Sequence, residues 1–356
     1  MDFTRAEDLI NTGLEAKYFS GAALGIYVKG EAEYAKYFGK LDFSENAKAV
    51  DETTLFDLAS LTKIVSTTII CLRLVDQGRL RLSNTVGDFF PEATAVKDVS
   101  IYNLLTHTSG EESYFQFADE LEDKSGIRDL LLHRDLKYKT GSKVEYSCIG
   151  FILLGEILKK VTNKSLDTLF NEEVAAVLGL ENSGFRPDPK THNIAKTKDE
   201  STGKLLEGIV HDENARFQAG VSANSGLFAN LNDLMVYAKT LLNQGITADK
   251  KCLISPVLLK QAVKNYTPGL GEDRGLGFQL LSTRTSLGDS YSEKAFGHTG
   301  FTGTSIVIDP VYETVIVLLT NRVLGENKNS NFNNLRSYIH SSIMAEISYK
   351  QALLNV

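Results

Sequence analysis

Residues 61–75 form an apolar run of helical length, headed by Ser60 and Lys63 and closed by Gln77-Gly78. Ile64, Val65, Ile69, Ile70, Cys71, Leu72, Leu74 and Val75 cover nearly every side of the predicted helix. Such a helix belongs in the middle of a packed body, so the rest of the chain has to wrap it. Gly78 supplies the C-terminal stop. Residues three apart share a helix face, which sets Ser60 Oγ beside Lys63 Nζ at the helix N-terminus. There the dipole and free N–H groups favour negative charge. A hydroxyl beside an amine at that place is a nucleophile with its base attached. Burial and the positive helix end are expected to lower the pKa of Lys63. A second Ser-x-x-Lys, Ser201 to Lys204, lies in a polar stretch without apolar periodicity and reads as a solvated loop.

The chain has 356 residues, 42% hydrophobic and 23% charged, enough for a sizeable core in one large domain or two. A net charge of -7 without a basic run argues against a nucleic-acid partner. Three scattered cysteines (Cys71, Cys148 and Cys252) give neither a disulfide framework nor metal-ligand spacing, and the histidines form no His-Glu-x-x-His. No metal or cofactor is expected. No apolar run is long enough to span a membrane. Residues 1–8 are polar and acidic, unlike a signal peptide. The chain as it stands reads as cytoplasmic, and as periplasmic or extracellular if an export signal has been removed.

Leu9, Ile10 and Leu14 mark a first amphipathic helix, and β-like runs 22–29 and 31–39 flank Gly30 as a hairpin. Helical signals then dominate: 101–105, 127–133, 149–161 and 166–178, followed by a loop over 187–204. Further helices are predicted at 231–242 and 256–263 and a strand at 275–281. A second hairpin joins 301–308 to 314–319 through Asp309-Pro310. Leu335, Ile339, Ile343 and Ile347 mark a last helix. Consecutive hairpins point to an antiparallel sheet rather than a βαβ array. The expected fold is α+β, one antiparallel sheet drawn from both chain ends (1–58 and 205–356) and flanked by terminal helices. An inserted, mainly helical domain (59–204) fills the middle, with the active site between the two.

Two more motifs join Ser60 and Lys63: Tyr146-Ser147-Cys148 before the 149–161 helix, and His298-Thr299-Gly300 entering the last hairpin. In this order they resemble the Ser-x-x-Lys, Tyr-x-Asn and Lys/His-Thr-Gly signatures of the penicillin-recognising serine hydrolases. Residues 56–63, 104–110, 210–215, 297–303 and 320–323 share the likeness, so it covers most of the chain. The branch is that of class C β-lactamases, D-alanyl-D-alanine carboxypeptidases and the esterases that share their fold. The resemblance implies a β-lactamase/DD-peptidase-like fold and an acyl-enzyme on Ser60, formed without metal or cofactor. Tyr146 would share the general-base role with Lys63 and protonate the leaving group. The N–H groups of Ser60 and Phe301 would hold the oxyanion. His298 would join Ser60, Lys63 and Tyr146 as a catalytic residue, Thr299 would line the site with Cys148, and Gly300 would let the substrate backbone approach. The implied partner is a small molecule or a peptidoglycan peptide.

Two positions depart from the family pattern. His298 stands where β-lactamases of this branch carry lysine, and a histidine is only partly charged at neutral pH. Cys148 replaces asparagine, and a thiol is a weak donor and acceptor. The first moves the reading from β-lactams towards esters or D-alanyl peptides, and the second puts amide-substrate binding in doubt, with a class C-like β-lactamase as the alternative. Cys148 also motivates a reading from another class, a catalytically silent binding or scaffold relative. An α/β-hydrolase is set aside, because Gly220-Val221-Ser222-Ala223-Asn224 lacks its last glycine. Residues 224–228 resemble a site-lining loop and read equally well as a helix-entry turn. His107 and His211 read as hydrogen-bonded loop residues.

Overall fold

The computed structural model describes residues 1–281, 285–327 and 331–354. Its strands, in chain order, are β1 (Gly21–Val28), β2 (Tyr34–Gly39), β3 (Phe56–Asp57), β4 (Ser183–Phe185), β5 (Thr197–Lys198), β6 (Leu205–Leu206), β7 (Leu227–Ala229), β8 (Gln279–Leu280), β9 (Phe296–Thr299), β10 (Ser305–Asp309) and β11 (Thr314–Thr320). The main sheet runs β2-β1-β11-β10-β9-β8 and is antiparallel throughout. It is drawn from both ends of the chain, as expected. Ala22 faces Thr320 and Val28 faces Thr314, which seats the first strand beside the last.

Side chains alternate across a strand, and both faces of β1 and β11 are covered. Ala22, Leu24, Ile26, Ile316 and Leu318 pack under the terminal helices Thr4–Glu15 and Phe332–Leu354. Ala23, Val315, Val317 and Leu319 share the main core with the helix Leu231–Leu242. Two-sided burial explains why these strands read as nearly continuous apolar runs.

A smaller sheet, β3-β7-β4, stands at the head of the central helix. That helix opens with a π turn, Lys63–Thr67, and continues as Thr68–Asp76. Residues 61–72 are all buried, in agreement with the all-round apolar pattern. The helix Cys148–Thr162 packs against the same core. Among the described residues, no helix is long and apolar enough to cross a membrane.

Three strands are shorter than their sequence implies, and the predicted 31–39 run begins only at Tyr34. The predicted 301–308 strand begins at Ser305, because residues 300–304 form a turn closed by Gly300 N–H to Thr304 O and Gly303 N–H to Gly300 O. The predicted 275–281 strand is reduced to Gln279–Leu280. Gly277 adopts φ +80° and gives its N–H to Leu105 O, which turns the backbone out of the sheet.

Candidate active site

Ser60 sits in a turn, not in the helix proper. Leu58 N–H pairs with Leu227 O, so β7 clamps the chain just before it bends. Ala59 takes φ +46°, a left-handed conformation that costs a non-glycine residue energy. Its N–H donates to Asp57 Oδ1 at 2.9 Å, and the other carboxylate oxygen accepts the His211 N–H at 2.7 Å. Burial pushes the Asp57 carboxyl up to about 6, against the pull of those two N–H groups. Lys63 N–H then closes on Ser60 O, and the helix begins.

Lys63 is fully buried. Its Nζ donates to Ser60 Oγ at 3.1 Å, Asn224 O at 3.0 Å and Cys148 Sγ at 3.4 Å. Three acceptors match the three donors of an ammonium. Burial opposes the charge, but the acidic groups of Cys148 and Tyr146 favour it more, and the pKa lies above the ordinary lysine value. This corrects the expected lowering. Burial does act in the foreseen direction, and the neighbours outweigh it.

Tyr146 lies just ahead of the helix Cys148–Thr162, which Ser147 caps by accepting the Gly150 N–H at 2.9 Å. Lys63 Nζ stands 5.0 Å from the Tyr146 ring centre. The phenol oxygen is buried and has no hydrogen-bond partner among the described residues. Burial raises its pKa, with Lys63 and Ser60 pulling the other way, so the phenol is protonated at neutral pH. The His107 ring packs 4.6 Å from Tyr146, and its Nδ1 accepts the Ser147 N–H at 3.0 Å.

His298 lies on β9, its ring 5.8 Å from that of Tyr146. Its Nδ1 is 2.8 Å from Thr299 O, and a carbonyl only accepts, so Nδ1 carries the hydrogen. Burial, then Arg274 and Lys63, lower its pKa to about 3. His298 is therefore neutral, with Nε2 an acceptor that finds no partner among the described residues. The expected partial charge is absent, because the ring is buried and two cations already stand nearby.

Among the described residues, β8 pairs with Phe296 and Gly297 and not with His298 or Thr299. The 300–304 turn is fastened to the nucleophile segment by Thr302 Oγ1 to Asp57 O, 2.7 Å, and Thr304 Oγ1 to Leu58 O, 3.1 Å. A Cβ on Gly300 would lie 2.5 Å from Leu58 O and 2.1 Å from Thr304 Oγ1. The glycine thus serves a close approach of two protein segments. The room foreseen there for substrate backbone is taken by Leu58 and Thr304. Phe301 lies in this turn instead of on a strand, with its exposed ring stacked on His211 at 5.7 Å.

A profile of the β-lactamase family matches residues 6–337. A putative D-alanyl-D-alanine carboxypeptidase of Escherichia coli K12 is 31% identical, with 86% of this chain and 78% of the relative covered. The chain belongs to the β-lactamase family and is a serine hydrolase. Solved structures share the fold. A class C β-lactamase superposes with TM-score 0.78 at 20% identity, covering 96% of this chain and 95% of its own. EstCE1, described as a hydrolase with promiscuous acyltransferase activity, gives 0.75 at 24%, covering 96% and 98%.

The β-lactamase-family motifs converge on Lys63, which touches Ser60 and Cys148 and faces the ring of Tyr146. Tyr146 in turn packs against His298. Residues 224–228 do line this centre, because Lys63 bonds Asn224 O, while residues 227–229 form β7. His107 and His211 are hydrogen-bonded loop residues and also contact site rings. Three groups escaped the sequence reading: Asp57 beneath the turn, the Asn224 carbonyl, and Arg274, whose guanidinium stands 5.4 Å from the Tyr146 ring centre. Asp57 falls within the familial 56–63 stretch, which was a usable signal. Arg274 belongs to no motif.

Proposed function

We propose that this serine hydrolase acts on carboxylic esters and D-alanyl peptides through an acyl-enzyme on Ser60. The observation that carries the reading is the 3.1 Å contact between Lys63 Nζ and Ser60 Oγ, with the Tyr146 ring beside it. Ser60 Oγ attacks the acyl carbonyl carbon while its proton passes to the Lys63–Tyr146 pair, which must first have lost one proton. The carbonyl oxygen gains the negative charge, and the N–H groups of Ser60 and Phe301 hold it. The adduct then collapses. The bond to the leaving alcohol or amine breaks, and the pair returns the proton to it. Water repeats the sequence, releasing the acid and freeing Ser60. Thr299 and Cys148 border the acyl donor.

The E. coli relative's name supports the D-alanyl peptide as one substrate. Neutral His298 offers no charge to a β-lactam carboxylate. Class C-like β-lactam hydrolysis therefore ranks below ester and peptide work. We place the active site between a sheet body (1–58 and 205–356) and a helical body (59–204). In support, Ser60, Lys63 and Tyr146 come from the second and His298 to Phe301 from the first.

The test is intact-mass spectrometry after incubation with a fluorescent penicillin, beside turnover of a p-nitrophenyl short-chain ester. Wild-type protein is expected to turn over the ester, and Ser60→Ala to lose at least roughly a thousandfold while folding normally. Unchanged turnover by Ser60→Ala overturns the assignment. If wild-type protein neither hydrolyses the ester nor captures the penicillin, the silent binding relative replaces it.

A further inference from the structure

Arg274 enters the site from the loop before β8, remote in sequence from the three motifs. It is 4% exposed. Its backbone is fixed by its N–H to Thr267 Oγ1 at 2.8 Å and by its carbonyl, which accepts the Tyr266 N–H at 2.9 Å. Nε and Nη2 both donate to Glu272 Oε2. Nη1 is buried and has no hydrogen-bond partner among the described residues. An idle guanidinium N–H out of reach of water is costly. If packing were its whole role, an apolar side chain would fill the space without that cost. The aromatic face beneath it is Tyr146, whose ring centre lies 5.4 Å from the guanidinium carbon.

We infer that Arg274 is a positioning residue for the proton chemistry of Tyr146: its guanidinium, held over the phenol ring, stabilises the ionised ring and sets the pH at which the enzyme turns on. This rests on the proposed role of Tyr146 as proton carrier. The charged and titratable groups about that ring are Lys63 at 5.0 Å, Cys148 and Ser60 through Lys63, His107 at 4.6 Å, His298 at 5.8 Å, and Arg274. Burial and Arg274 together keep both histidines neutral, so neither supplies positive charge. Lys63 exchanges protons during the reaction. The Arg274 guanidinium is the fixed cation of the group. Glu272, its half-exposed partner, tempers that charge from outside.

The experiment is the pH dependence of kcat/KM on a p-nitrophenyl ester for wild type, Arg274→Lys, Arg274→Met, Glu272→Gln and Tyr146→Phe. Removing the cation in Arg274→Met is expected to move the alkaline rise upward by roughly one pH unit, a tenfold loss at a fixed pH below it. Arg274→Lys keeps the charge and stays within a few tenths of a unit of wild type. Glu272→Gln removes the tempering carboxylate at the surface and moves the rise downward. It decides the matter alone if Arg274→Met does not fold. A rise at the same pH in wild type, Arg274→Met and Glu272→Gln overturns the inference, whatever the activity. Tyr146→Phe separates the two levels. If it retains wild-type kcat/KM, the underlying reading of Tyr146 fails. If it is inactive while the Arg274 and Glu272 profiles do not move, only the Arg274 inference fails.

Discussion

Tyr237 donates its phenolic hydroxyl to Ile64 O at 2.7 Å, inside the π turn that carries Lys63. Both groups are buried. A π turn is less regular than an α-helix and recurs at functional sites, and here a remote helix pins it. Tyr237→Phe is expected to destabilise the protein by about 1–2 kcal/mol, seen as a melting temperature lowered by a few degrees. Ester kcat/KM should fall with it, because the mount of Lys63 loosens. An unchanged melting temperature would show that the bond adds nothing.

Activity should rise with pH. Lys63 and Tyr146 both hold their protons more firmly than the free side chains do, yet Ser60 can pass on its proton only when the pair has lost one. The active fraction therefore grows as pH climbs above neutrality. His298, with a pKa of about 3, contributes no limb between pH 5 and 8. A kcat/KM profile that falls from pH 7 to 9 in stable protein would contradict this proton inventory.

Cys148→Asn restores a side chain that both donates and accepts. Amide donors should gain more than esters, by roughly 5–10-fold in kcat/KM, the worth of about one hydrogen bond. The check is the ratio of D-alanyl peptide to ester turnover in the two proteins. An unchanged ratio would mean that this side chain does not read the substrate amide.

Glu111 is 2% exposed, and its Oε1 finds no partner among the described residues. Burial, then the charge of Glu112, push its pKa up to about 7. The folded state thus binds a proton that the unfolded chain releases above pH 4–5. Stability from this group is present at low pH and is lost as pH rises towards 7. Glu111→Gln mimics the protonated form. It should match wild type near pH 4.5 and exceed it by about 2–3 kcal/mol at pH 8, read as the difference in urea midpoints at the two pH values. A difference that does not grow with pH would remove Glu111 from the account.

Much of this architecture is legible in the chain. The helices Ile101–Leu105 and Ile127–His133 fall on the predicted residues, because their apolar spacing and stop signals agree. The strands around Gly300 and Gly277 are not, since turns fastened to the distant carbonyls of Leu58 and Leu105 leave no local pattern. Ser60, Lys63 and Tyr146 could be picked from ordered motifs, but their protonation could not. The charge of Lys63 depends on Cys148, 85 residues away in the chain, and on Tyr146. The neutrality of His298 depends on burial and then on Arg274, in a loop without a signature. Sequence spacing states who the neighbours of a group are only when they share a helix or strand.

The first strand of the main sheet has a late companion. β1 lies between β2 and β11, and Ser20 gives its N–H to Asn321 across 301 residues of chain. During synthesis the β1–β2 hairpin is made early and then waits with one edge open while the helical middle emerges and packs. Contacts at such separation are slow to find. The edge of β1 stays exposed to wrong partners until β11 arrives, which marks this interval as the one most open to aggregation. Folding yield should accordingly depend less on the Ser60 helix than on how promptly residues 314–320 reach their place beside it.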